Sequence, residues 1–190
     1  QSIQHSLIAG VDMIYHAEYS DEKTLDMLEE AKDRVFVAPS ISLFHTMLNE
    51  GEAHGMPRAV AESMGIPALI EESVKTHMAL RKRGIRHVIG GDYGFTWNMQ
   101  GTNARDIQHF IDYYGYTAAD ALVCATRNGG LAMRGQGDLG TLQQGMLADM
   151  LLVDGDPLKD VAVLTDKARL VMIMKDGVIH SIAPSLQHKN

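Results

Sequence analysis

Three things are scarce in this sequence. It holds a single cysteine, Cys124, among 190 residues. No internal disulfide framework can form, and the chain fits a reducing, cytoplasmic compartment. No run of about 18 apolar residues occurs, so no membrane-spanning helix is expected. Positive charge is also short. Lys and Arg number 17 against 24 Asp and Glu, leaving a formal net charge of -7. Nucleic acid and anionic membrane are therefore poor candidates as partners. Local metal motifs are missing as well: there is no H-x-H, H-E-x-x-H or Cys-x-x-Cys spacing. The chain opens Gln1-Ser2-Ile3-Gln4, without a methionine or a signal peptide, as if it began inside a helix that stops at Gly10. That opening leads us to expect a piece of something longer.

What is present reads as an ordinary globular composition, 45% hydrophobic and 22% charged. Gly10 to His16 reads as a short strand ending in histidine. Ser20-Asp21-Glu22 caps a helix that runs to Arg34, with Leu25, Leu28 and Ala31 on one face. Val35 to Ala38 is a second strand, stopped by Pro39. Residues 40–66 mix polar and apolar groups without a period and read as a long loop with a helical piece. Pro67 starts a helix that ends at Gly84, with Leu69, Ile70, Val74, His77 and Met78 on one face. Residues 85–89 form a third strand that runs into Gly90-Gly91-Asp92. Asn103 to Asp106 caps a helix stopped by Gly115, and Thr117 caps another closed by Asn128-Gly129-Gly130. This alternation predicts a parallel sheet covered by helices. Past residues 135–141 the pattern changes. Met146 to Asp154 is strand-like, and two further strands flank the hairpin signal Asp176-Gly177.

Several motifs have bland explanations. Gly135-Gln136-Gly137-Asp138-Leu139-Gly140 matches G-x-G-x-x-G, but it follows a helix and opens none, so a linker is the better reading than a nucleotide site. Cys124 sits among Ala121, Leu122, Val123 and Ala125 and reads as packing. His5, His54, His77, His87, His109, His180 and His188 each read as surface groups or supports, without a nearby partner. His16 and Asp92 stand apart, because each ends a strand and precedes a loop into a helix. In a β/α barrel, that is the face where catalytic groups collect. Imidazole and carboxylate together suit a divalent ion such as zinc. An aspartate beside such an ion can also move a proton.

Three stretches carry a family likeness. They are Ala121 to Gly130 (ALVCATRNGG), Leu139 to Pro157 (LGTLQQGMLADMLLVDGDP) and Met174-Lys175-Asp176-Gly177. Together they resemble the C-terminal signature of the metal-dependent amidohydrolase superfamily. The branch they are most similar to holds imidazolonepropionase and Xaa-Pro dipeptidase-like enzymes. Gly10 to His16 resembles that branch's sixth barrel strand, and Gly90-Gly91-Asp92 its eighth.

The resemblance implies an α/β chain. Residues 1–135 would be the C-terminal part of a TIM (β/α)8 barrel, strands six to eight with their helices. Residues 136–190 would be the C-terminal share of a small β-sandwich. It implies a hydrolase of amide or cyclic-amide C–N bonds. His16 would be a metal ligand or a substrate-contacting histidine, and Asp92 a metal ligand that is also the general acid and base. The cofactor would be a divalent metal, zinc above others, with its remaining ligands upstream of Gln1. Tyr93, His45 and Trp97 are expected substrate contacts. A small molecule is the expected substrate, and the missing N-terminal part or further copies of the chain are the expected partners. The chain by itself is expected to be inactive. The alternative is a non-catalytic, barrel-derived domain used for binding or assembly, since open sheet edges invite pairing. A doubly wound nucleotide-binding domain ranks last.

Overall fold

The computed structural model describes residues 1–134 and 137–184. The chain alternates as expected: α1 (Ser2–Ile8), β1 (Met13–Tyr15), α2 (Glu22–Glu30), β2 (Phe36–Ala38), α3 (Ile41–Asn49), α4 (Arg58–Ser63), α5 (Ile66–Lys82), β3 (Arg86–His87), α6 (Arg105–Tyr114), α7 (Ala118–Val123) and α8 (Gly129–Arg134). The strands form a parallel sheet in the order β1-β2-β3. They are shorter than the apolar runs that announced them, because pairing ends before the apolar residues do.

The central strand β2 is buried at every position, as a parallel strand covered on both faces must be. Val35 and Val37 point to one side and meet Ile14, Leu25, Leu28, Leu80 and Ile85 beneath the helices. Phe36 and Ala38 point to the other and meet Val88, Met13, Leu131 and Ala132. Register places Ile14, Val37 and His87 side by side across the sheet. His87 thus occupies a core position where an apolar residue would be the default.

Residues 40–66 are not a long loop. They hold α3, α4 and a short 3-10 turn at Gly51–His54. Leu43, Phe44, Met47, Ala61 and Ile66 close a core of their own there. Gly51, Gly55 and Pro57 break the periodicity into pieces too short to read. Asn128-Gly129-Gly130 does not end a helix either. A π turn, Cys124–Asn128, carries α7 into α8. On α5 the buried face is Ser73, Thr76, His77 and Leu80, while Met78 is exposed.

The C-terminal part contains β4 (Met150–Val153), β5 (Leu170–Lys175) and β6 (Val178–Ile182), an antiparallel sheet in that order. Asp176 and Gly177, both at positive φ (51° and 75°), make the turn between β5 and β6. Between β4 and β5, Val161 is buried against Phe110 and Tyr114 and ties this part to α6. The expected boundary between residues 135 and 136, the first two positions of the G-x-G-x-x-G match and His188 lie outside the described residues. Within that stretch Gly140 serves close packing, as does Gly130 before it. A side chain at Gly140 would strike the Thr126 carbonyl, and one at Gly130 the Leu139 carbonyl. No helix among the described residues is long and apolar enough to cross a membrane.

Candidate functional site

His16, directly after β1, and Asp92, in the segment that follows β3, both lie in the left-handed backbone region. His16 has φ +65° and Asp92 φ +56°. Among the described residues only four non-glycine positions do so, and the conformation is uncommon for a residue with a Cβ. Both residues are exposed. Both line one cleft of about 330 Å³, with Tyr15, Ser40, Gly90, Tyr93, Gln100 and Asn103.

Each is seated by neighbours that sequence reading missed. The His16 amide donates to the Ala38 carbonyl at 2.9 Å, extending the ladder by one residue. Its Nδ1 lies 2.7 Å from Ser40 Oγ. Ser40 occupies the N-cap position of α3 but makes no capping bond, because its hydroxyl serves His16. When Nδ1–H donates to that hydroxyl, the Nε2 lone pair is left free to bind an ion.

On the other strand, Gly90 has no room for a side chain. A Cβ there would lie 2.7 Å from the Cβ of Ala38. Under Gly91 lies Asp106, which is fully buried and reads in the sequence as a first-turn acid of a helix. Neither of its oxygens makes a hydrogen bond of good geometry. Burial pushes its carboxyl up to about 7, against the lowering influence of Tyr93, the Gly91 amide and Ser42. The Tyr93 hydroxyl donates to Ser42 Oγ at 3.3 Å. Burial, and then the nearby Asp106, push the Tyr93 phenol up, so it stays a neutral donor.

Of the three expected substrate contacts, Tyr93 borders the cleft, whereas His45 and Trp97 do not line it. His45 Nδ1 bonds Tyr113 Oη at 2.6 Å, and its ring lies 4.5 Å from that of His109. Trp97 stacks on Phe95 at 5.6 Å and packs on the core of α3 and α4.

The expectation for three of the histidines is corrected. His77, His87 and His109, read as surface or supporting groups without a nearby partner, are buried beside other rings. His77 Nδ1 and His87 Nε2 are 3.0 Å apart. His87 Nδ1 meets Tyr116 Oη at 2.9 Å, and His77 Nε2 lies 3.5 Å from Glu18 Oε1. Glu18 also accepts from the Ala17 amide and Ser73 Oγ, each at 3.1 Å. Burial alone would raise the Glu18 carboxyl, but His77 and the Ala17 and Glu18 amides hold it down at about 2. Burial and the neighbouring His77 keep the His87 imidazole neutral. This polar train runs from the loop after His16 to the strand before Asp92. Cys124 is buried and its thiol is pushed up to about 12 by burial, so it is inert.

A metal at this cleft would be held by His16 Nε2 and the Asp92 carboxylate, a donor pair of the right chemistry. Among the described residues no group of three or more His, Cys, Asp or Glu side chains is arranged to hold an ion. Two donors would make only a partial ligand set.

Residues 6–179 match the model of the Amidohydrolase family. Ochratoxinase of Aspergillus niger is 26% identical over 177 residues, a match that covers 92% of this chain but 35% of the relative. Its crystal structure superposes with a TM-score of 0.79 at 22% identity, covering 96% of this chain and 40% of that one. A prolidase complexed with N-methylphosphonate-L-proline gives 0.79 at 22% identity, covering 96% and 43%. A Xaa-Pro dipeptidase with bound methionine gives 0.75 at 23% identity, covering 94% and 42%. This chain thus spans well under half the length of each of these relatives, and it belongs to the amidohydrolase family.

Proposed function

We propose that this chain is the C-terminal part of a metal-dependent hydrolase that cleaves amide or cyclic-amide C–N bonds in small molecules. In this reading β1, β2 and β3 are the sixth, seventh and eighth strands of a TIM barrel, within residues 1–135. Residues 136–190 are the C-terminal share of a small β-sandwich. One observation carries the reading. His16 and Asp92, which follow different parallel strands, share the same left-handed backbone conformation and open on the same cleft.

The divalent ion, which we take to be zinc, supplies a lowered water pKa and a polarised carbonyl when bound. His16 offers Nε2 to it, steadied through Ser40. Asp92 takes the proton of the attacking water and delivers it to the leaving nitrogen. Tyr93, kept neutral and tied to Ser42, forms part of the cleft wall. The remaining ligands come from polypeptide upstream of Gln1.

The uncovered β4–β6 sheet favours one second reading, a domain kept for assembly alone. Elemental analysis after dialysis separates the two. We expect the complete protein to hold metal, the His16→Ala variant to hold less, and the 190-residue chain to hold it weakly. Two ligands fall short of the three usual at a catalytic zinc. A complete protein without bound metal would contradict the enzymatic reading. One tightly held ion on the isolated chain would mean that further ligands lie within these 190 residues.

A further inference from the structure

The turn that presents Asp92 is held more firmly than a surface turn requires. Glycine would adopt φ +56° without strain, yet position 92 carries an aspartate. Its amide donates to the Gly90 carbonyl at 2.9 Å. Asn98, fully buried, donates Nδ2 to the carbonyls of Gly91 (3.0 Å) and Asp92 (3.1 Å). The fully buried Ser42 donates Oγ to Asn98 Oδ1 at 3.2 Å, which decides which end of the amide faces the carbonyls. Asn98 is itself anchored, since its amide donates to the Phe95 carbonyl at 3.0 Å and its carbonyl accepts from Gly94 at 2.9 Å. From the opposite side the Asp106 carboxyl abuts Gly91, where an added Cβ would lie 2.5 and 2.7 Å from its oxygens. Asn98 does not line the cleft, so it acts on substrate only through Asp92.

We propose that Asn98, oriented by Ser42, is a positioning residue that holds Asp92 in its left-handed conformation, with its carboxylate presented to the cleft. The proposal rests on the reading of Asp92 as the proton carrier. Its physical content is separable from that reading: the two carbonyl contacts hold a backbone that an aspartate would otherwise leave.

The test uses the complete enzyme with Asn98→Asp and Ser42→Ala. Asn98→Asp keeps the size of the side chain but turns two donors into acceptors facing two carbonyl oxygens. A misplacement near 1 Å in a reacting group costs up to about 10²-fold. We expect kcat to fall about 10-fold to 10²-fold, with KM within about twofold because the cleft wall is untouched. Ser42→Ala should show the same split at smaller size. A crystal structure of Asn98→Asp should show residue 92 out of the left-handed region. A folded Asn98→Asp enzyme with more than half the parent kcat overturns the proposal, as does a loss carried by KM. If Asn98→Asp does not fold, an unchanged kcat in Ser42→Ala overturns it. If Asp92→Asn itself leaves turnover intact, the reading of Asp92 fails instead. The backbone at residue 92 in the Asn98→Asp or Ser42→Ala crystals then decides, and φ still near +56° overturns the clamp.

Discussion

The parallel and antiparallel sheets have three strands each, and they differ in what covers them. In the parallel sheet β2 is buried throughout, and helices supply the opposing core. In the antiparallel sheet no residue of β4, β5 or β6 is buried. Leu151 (56% exposed), Leu152 (48%), Val178 (59%) and Ile179 (48%) face outward. Exposed apolar side chains gathered on one element mark an unfilled interface. The first sheet positions the candidate site and is flanked by buried clusters on both faces. The second has strand-grade sequence but little core of its own, which fits the share of the relatives' length that this chain spans.

That contrast can be broken by mutation. Phe110 is fully buried where α6 receives Val161. Phe110→Ala should cost about 3–5 kcal/mol in denaturant unfolding. A cost under about 1 kcal/mol would mean the helical layer is not the stabilising half.

Asp106 sharpens the contrast with pH. Its folded carboxyl sits at about 7 against an ordinary 3.8. Between those values the folded chain keeps a proton that the unfolded chain has lost. Stability therefore falls as pH rises through this window, and it is flat above. Asp106→Asn should remove the slope and stabilise the chain by about 2–4 kcal/mol near pH 8, with no gain below about pH 4. Urea unfolding across that range reads it out. A wild-type chain whose stability rises over the window would contradict the burial argument.

The smallest effect belongs to the other sheet. Leu152→Thr should change stability by no more than about 0.5 kcal/mol, because the side chain is half exposed. A cost near 2 kcal/mol would show that the sheet buries more than its own strands provide.

Legibility followed the range of the interactions. Asp176-Gly177 announced the hairpin, and β5 and β6 lie where the apolar runs put them. Thr117 caps α7 by accepting from the Asp120 amide, and Gly115 ends α6 at φ +66°. These signals are local, as is the strand-end position of His16 and Asp92. The rest depends on partners far apart in the chain. Glu18, His77 and His87 meet only after α5 folds back over the sheet. Ser40 carries an N-cap's identity but serves His16 instead. Asp106 carries the identity of a first-turn acid, yet packs under Gly91. Asn98 shows no local pattern at all.

The most direct test is the turnover of Asp92→Asn in the complete protein, assayed with N-acyl amino acids, Xaa-Pro dipeptides and cyclic amides. Asparagine keeps the shape but cannot carry a proton from water to the leaving nitrogen. Cys124→Ala serves as the control, since that thiol is buried away from the cleft. We predict that kcat falls at least about 10²-fold while the fold and the control stay intact. Retention of more than about a tenth of the parent rate, against that 10²-fold expectation, would make Asp92 a turn residue and contradict the account.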